Sequence, residues 1–251
     1  MPDAAYVDVR GTIRIDTNAA FWCSSHPYLG GSPRITCRKL IVAKGGKITA
    51  SGEGYLGGLS ATGTWGPAWY DASIVGADVR TDEYGFGPGA VRGVVRAGCH
   101  GGFASSVSDP KWLYGNEERP CMPGSGGGGN IGGIGGGVVW VEASRAIEVY
   151  GTVSSDGWKI CGSGNEGAGG SVFLSTRHLT VGPNCAIVTR GTDGGGGGGR
   201  IALWRVWDDA GSLQGDELEA KPKATSTNAS GGNGTVFFGK YPPPGLTILV
   251  K

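Results

Sequence analysis

No apolar run in the chain approaches the roughly 18 residues that cross a bilayer as a helix, so no membrane span is expected. The first residues, MPDAAYVDVRG, lack the charged start and apolar stretch of a secretory leader. Read literally, the chain is soluble and unaddressed, although a segment starting inside a secreted protein reads the same way. Charge of one sign is lacking too: 22 Lys and Arg stand against 21 Asp and Glu, a net +1, and the basic residues are scattered singly. That balance gives no field to gather nucleic acid, which is therefore not an expected partner. Histidine is scarce. His26, His100 and His178 are widely separated and no CxxC pair occurs, so no metal site is expected. Sustained helical periodicity is missing as well: the best helical stretch, DDAGSLQGDELEAKPK (208–223), is broken by Gly211, Gly215 and Pro222.

Glycine is what the sequence holds in excess, 52 of 251 residues, about three times ordinary usage. It is clustered rather than set at every third position, which excludes collagen. Three blocks, GSGGGGNIGGIGGG (124–137), GSGNEGAGGS (162–171) and DGGGGGGR (193–200), alternate with VVWVEASRAIEVYGTVSSDG (138–157) and VFLSTRHLTVGPNCAIVTRGTDG (172–194). Each intervening phrase reads strand, turn, strand, turn, with the period of two visible at Val138, Trp140 and Glu142 and again at Ile147, Val149 and Val153. An earlier copy, RKLIVAKGGKITASGEGYLGG (38–58), and the start of another, RIALWRV (200–206), make a repeat of roughly 30 residues, the range of solenoids and related stacks. The pattern predicts an all-β, parallel β-helix-like solenoid with glycine-rich turns and a long loop-rich insertion.

Runs of four to six glycines exceed what corners need. Extended polyglycine segments packed side by side, and flexible exposed loops, both account for them. A phosphate cradle does not: GGGGGGR is not GxxxxGK[ST] between strand and helix, and GSGNEG precedes a strand, so no cofactor is expected.

Cys23, Cys37, Cys99, Cys121, Cys161 and Cys185 form an even set that reads as a disulfide framework. Of the 15 possible pairings, the sequential one (Cys23 to Cys37, Cys99 to Cys121, Cys161 to Cys185) suits a stack of neighbouring turns, and six buried thiols are the alternative. Two glycosylation sequons, at Asn228 and Asn233, point the same way, to an extracellular or cell-surface location. The chain reads as one domain over 1–251: an N-terminal cap and stapled loop (1–38), a first repeat (39–58), an insertion rich in Trp, Tyr, Gly and Pro (59–123), glycine-rich repeats (124–206) and a C-terminal cap (207–251). The cap ends in a strand pair, TVFFG (235–239) and LTILVK (246–251).

The phrases AGCHGGF (97–103), YGNEERPCMPGSGGGG (114–129) and GTDGGGGGGRIALW (192–204), after LIVAKGGKITASGEGYLGG (40–58), occur in an order that resembles glycine-rich modules of large bacterial surface proteins and of eukaryotic cell-surface glycine-rich proteins. The resemblance covers about residues 40–204 and leaves both ends outside it. It implies a β-helix-like or related solenoid and brings no activity. The Cys99-His100 and Pro120-Cys121 phrases look like the eukaryotic versions, which implies a Cys99 to Cys121 bridge.

Candidate chemistry gathers in the insertion. Asp109 with Glu117 offers the two carboxylates of a glycosidase, and His100 or Lys111 the base of a lyase acting beside a neutralised uronate. The blander reading is that Asp109-Pro110 and 116–119 are solvated turns and that His100 sits in a turn. Trp65, Trp69, Trp112, Tyr114 and Trp158 fall in turn- or glycine-rich segments, where aromatic rings serve as sugar platforms or as a satellite core. Trp140 and Trp204 are expected to stack in the core, and His178 reads as a surface or packing residue. The leading functional reading is a non-catalytic extracellular structural or adhesive module that presents loops and aromatic residues to a polysaccharide, another glycan or a cell-surface protein. The alternative is a polysaccharide lyase or glycoside hydrolase with its site in 59–123, which requires His100, Asp109, Lys111 or Glu117 to meet in one groove.

Overall fold

The computed structural model describes residues 5–58, 85–91, 97–105, 107–129, 132–159, 166–209 and 212–243. It is mostly β, with two parallel sheets and almost no helix. In chain order the strands are β1 (Tyr6–Ile15), β2 (Ala20–Trp22), β3 (Arg34–Val42), β4 (Lys47–Thr49), β5 (Val138–Val149), β6 (Thr152–Ser154), β7 (Ser171–Val181), β8 (Ala186–Val188), β9 (Arg200–Arg205), β10 (Trp207–Asp208), β11 (Pro222–Lys223) and β12 (Thr235–Lys240). The broken helical stretch yields one five-residue helix, α1 (Gly215–Glu219), and a 3-10 turn lies at Pro110–Trp112. The larger sheet has the order β1-β3-β5-β7-β9-β12, with β10 also on β7, and the smaller has β11-β8-β6-β4-β2.

Each repeat thus sends a long strand to one sheet and a short strand to the other. Parallel register puts like residues in line: Ile35, Val141, Leu174 and Leu203 pair in succession across β3, β5, β7 and β9. Further along the same strands lie Leu40, Ile147 and Leu179, then Val42, Val149 and Val181. These meet Ile48, Val153 and Ile187 of the smaller sheet in one core cluster. Each such aliphatic side chain stabilises the fold by about 1.5–3 kcal/mol relative to exposure.

The expectation of a parallel β-helix-like solenoid with glycine-rich turns is corrected by this architecture. The chain makes two parallel sheets, of seven and five strands, and the glycine blocks are not the turns that join them. They leave the sheets and pack on one another as buried extended segments. Tyr55 N donates to Gly124 O, Gly124 N to Gly136 O and Gly135 N back to Tyr55 O, so three segments bond mutually. A second triad joins Gly169 N to Gly197 O, Gly197 N to Gly98 O and Gly98 N to Glu166 O. Of the two accounts of the long glycine runs, the packed one is realised. Parts of the insertion join this bundle: Phe86 N donates to Leu56 O, and Gly102 N to Gly198 O.

Glycine is needed here for proximity, not for backbone angle. None of Gly126, Gly135, Gly167 and Gly197 has a left-handed φ. A Cβ on any of them would collide with a carbonyl oxygen of the neighbouring segment, of Leu56, Gly124, Ile134 and Gly102 respectively.

Two further expectations change. Trp140 and Trp204 lie on the outer face of the larger sheet, not in the core, because the alternating neighbours Val139, Val141, Ile201 and Leu203 take the inward positions. The sequential disulfides are not formed: Cys23, Cys37, Cys99, Cys121 and Cys185 are free thiols, and Cys161 lies outside the described residues. Cys37 belongs to β3 rather than to a stapled loop, facing Val9 and Ala143, while Cys23 follows β2 with its N–H on Thr49 O. Both fill small-residue places in the core. Burial pushes the thiols of Cys23, Cys37 and Cys99 up to about 12, 11 and 11. Of the expected C-terminal strand pair, β12 is present and 246–251 lies outside the described residues.

Gly135→Ala and Gly197→Ala are expected to lower unfolding free energy by roughly 1–3 kcal/mol each, whereas Gly11→Ala, where a Cβ meets nothing within 4 Å, stays within about 0.5 kcal/mol of the parent. Denaturant titration followed by circular dichroism measures both. Alkylation of the native protein by iodoacetamide is expected to spare Cys23, Cys37 and Cys99 and to label them once the chain is unfolded, as peptide mass spectrometry will show.

Candidate functional site

Across four neighbouring strands of the larger sheet the pairing register slips at one level. Val9 pairs with Cys37 and Thr12 with Lys39, which sets Arg10 and Gly11 against the single Arg38. Cys37 pairs with Ala143 and Lys39 with Ala146, setting Arg38 against Ser144 and Arg145. Ala143 pairs with Thr176 and Ala146 with His178, setting Ser144 and Arg145 against Arg177. Such bulges bend a strand and re-aim its side chains. The product is a row of four exposed arginines, Arg10, Arg38, Arg145 and Arg177, on adjacent strands. At a strand spacing of about 4.8 Å the row extends over roughly 14 Å.

Nearby cations elsewhere are neutralised: Arg34 meets Glu142 at 2.7 Å, Lys39 meets Glu148 at 2.6 Å and Arg190 meets Asp156 at 2.8 Å. None of the four arginines in the row makes an ion pair or hydrogen bond through its side chain among the described residues. Like charges set this close repel one another, and no carboxylate among the described residues pairs directly with any of the four.

A groove of about 1280 Å³ runs over the row, from Asp8 on β1 to His178 and Tyr241 at the other end, with Thr36, Glu142 and Ser175 among its walls. His178 has its Nδ1 2.7 Å from Asp209 Oδ1, and Thr180 donates to the other carboxylate oxygen at 3.4 Å. Its ring stacks on Trp207, centroids 4.9 Å apart. Tyr241 has its hydroxyl 3.1 Å from Ser175 Oγ and its ring against Trp204, which lies over Gly239.

The insertion residues are placed differently. His100 is fully buried. Its Nδ1 lies 2.8 Å from Gly169 O, its Nε2 has no hydrogen-bond partner among the described residues, and its ring lies on Tyr114 at 4.7 Å. The Tyr114 hydroxyl donates to Pro123 O at 2.6 Å and accepts from Ser125 Oγ, which accepts from Gly89 N–H. Arg200, at the end of a glycine run, donates to Tyr114 O and Thr235 Oγ1. Burial, with a smaller contribution from Arg200, holds the imidazole down to about 3, and desolvation raises the Tyr114 phenol well above its ordinary value. This cluster pins the insertion to β9 and β12. Asp109 and Lys111 are exposed on the 3-10 turn, paired at 2.5 Å, with the ammonium lowering the carboxyl. Glu117 is exposed on the next turn. With His100 sealed and the other three on solvated turns, no common groove unites them.

Among the aromatic candidates, Trp112 packs on a small cluster of Val91, Ala97, Cys99 and Ala104. Tyr114 is held by the contacts above, Trp158 is 55% exposed, and Trp65 and Trp69 lie outside the described residues. Asn228 donates its amide to Asp193 O, and Asn233 is exposed. Among the described residues no group of three or more His, Cys, Asp or Glu is placed to hold a metal ion, and no helix is long and apolar enough to cross a membrane.

The arginine row was missed because its members are isolated in the sequence. Aligning the strand phrases VDVRGTI, ITCRKLI, EASRAIE and LSTRHLT places one arginine at the same point of each, a signal the repeat itself carries. Comparisons with protein-family models, with curated proteins and with solved structures find no match for this chain.

The buried imidazole gives a pH test. An unfolded histidine binds its proton near 6.5, whereas His100 does so only near 3. Between these values the unfolded state holds the extra proton, so stability is full above about pH 6.5 and falls as pH drops toward 3, by up to about 1.4 kcal/mol per pH unit. Unfolding free energies measured from pH 7 to pH 4 are expected to show this slope, reduced by that amount in His100→Gln.

Proposed function

We propose that this chain is an extracellular or cell-surface binding module that holds an acidic polysaccharide along the bent face of its larger sheet. The observation that carries this reading is the row Arg10, Arg38, Arg145 and Arg177, four exposed guanidinium groups without counter-ions along one groove. Guanidinium groups bind carboxylates and sulfates through paired N–H donors. A polymer with a charge on each sugar or each second sugar would meet the row at several points. The hydroxyls of Thr36, Ser144 and Ser175 and the carboxylates of Asp8 and Glu142 suit sugar hydroxyls. Those same carboxylates disfavour the unbroken phosphate chain of a nucleic acid. Trp207 and Tyr241 close one end with aromatic surface of the kind that takes a sugar face. The resemblance to glycine-rich surface modules agrees with this assignment, and in it the glycine bundle is framework rather than binding surface. A catalytic site in the insertion finds no geometric support, since His100 is sealed from solvent.

Isothermal titration against polygalacturonate, alginate and neutral dextran tests the reading. Binding of the acidic polymers only is expected, weakening as salt is raised, and Arg38→Ala/Arg145→Ala/Arg177→Ala together should reduce affinity about tenfold or more without lowering stability. Equal binding of dextran, or an unaffected triple variant, would remove the proposal.

A further inference from the structure

The groove ends on a histidine with a carboxylate behind it, and this arrangement goes beyond binding. Asp209 accepts from His178 Nδ1 at 2.7 Å and is itself steadied by Thr180. A carboxylate at Nδ1 fixes the tautomer that leaves Nε2 unprotonated and available as a base. No partner occupies Nε2 among the described residues. Trp207 stacked on the ring holds its plane, so the base is oriented on both sides. The neighbour in sequence, Arg177, and Arg145 on the adjacent strand supply cationic groups at the same level of the groove. Tyr241, a hydroxyl held by Ser175, lines it too. A base, cations that neutralise a carboxylate, and a hydroxyl acid are the three groups that β-elimination of a uronate requires.

Resting on the binding reading above, we propose that this groove is also a lyase site that cleaves a uronate-containing polysaccharide with His178 as the base. His178 Nε2 takes the proton on C5 of the uronate whose carboxylate is neutralised by Arg177 and Arg145. The electron pair of that C–H bond forms the C4–C5 double bond as the C4–O glycosidic bond breaks. The departing oxygen keeps the bond pair and takes a proton from the Tyr241 hydroxyl, which is restored from the imidazolium. Neither water nor an oxidant is consumed, and the products are a new reducing end and a 4,5-unsaturated uronate. Asp209 is a positioning residue that acts through His178.

The intact chain is incubated with polygalacturonate, alginate and a glucuronate-containing glycan, and the unsaturated product is followed by ultraviolet absorbance and mass spectrometry, alongside titration of binding to each polymer. Unsaturated product from at least one bound polymer is expected. His178→Ala should cut its rate by about 100-fold or more with affinity changed less than about threefold, because the arginines remain. Asp209→Asn should lower kcat while leaving KM in place. His178 is partly exposed, and a thermal melt of each variant confirms folding. Binding without unsaturated product across the panel overturns the lyase assignment and leaves the binding reading standing. Product formation that survives His178→Ala overturns it as well, and absence of binding removes both.

Discussion

Backbone lying directly on backbone, with no side chain between, is the contact on which the rest of this molecule depends. In most β proteins layers are held apart by interdigitated side chains about 10 Å deep. Here the segments at 54–58, 124–127, 132–137, 166–170 and 194–199 bond laterally to more than one neighbour, which a Cβ on the crowded side would forbid. Because the glycine segments run straight into β5, β7 and β9, their packing fixes where those strands begin. It also draws in the far-off insertion: Gly102 sits against Gly232 and Gly197, and His100 and Tyr114 are trapped between the bundle and Arg200. A buried, neutral imidazole is the chemical mark of that closure.

The opposite face of the larger sheet is governed by register rather than by proximity. A bulge in one strand would be a local irregularity, but here the extra residue recurs in β1 and β5 against single residues of β3 and β7, so the register slips at one level across four strands. Two successive residues then face outward where alternation allows one. The inward places on either side of the bend stay buried, as at Cys37 and Leu40 or at Thr176 and Leu179. Charge therefore gathers on the surface while the core layers on either side stay in register.

Much of the strand layout was legible. The phrases between glycine blocks carry the period of two, and each became a long strand followed by a short one, as 138–157 did for β5 and β6. Sheet organisation was not legible, since local alternation does not say which strands share a sheet. The glycine runs show the same limit, because a sequence without side chains has no periodicity to read, and only contacts distant in the chain reveal why Gly126 or Gly197 admits nothing larger. Trp140 and Trp204 do hold equivalent strand positions after glycine blocks, but those positions face outward: register sets Val139 and Val141 inward and leaves Trp140 against Phe173 and Arg34. His178 drew little notice in the sequence because Asp209 lies 31 residues on.

The parallel register of the bent face also makes its length a counted quantity. Each arginine belongs to one strand, and each strand widens the face by about 4.8 Å. A relative with one repeat more or fewer would keep its core layers and glycine contacts in kind while gaining or losing a single contact point. The reach of such a surface therefore changes in whole strand spacings and not continuously.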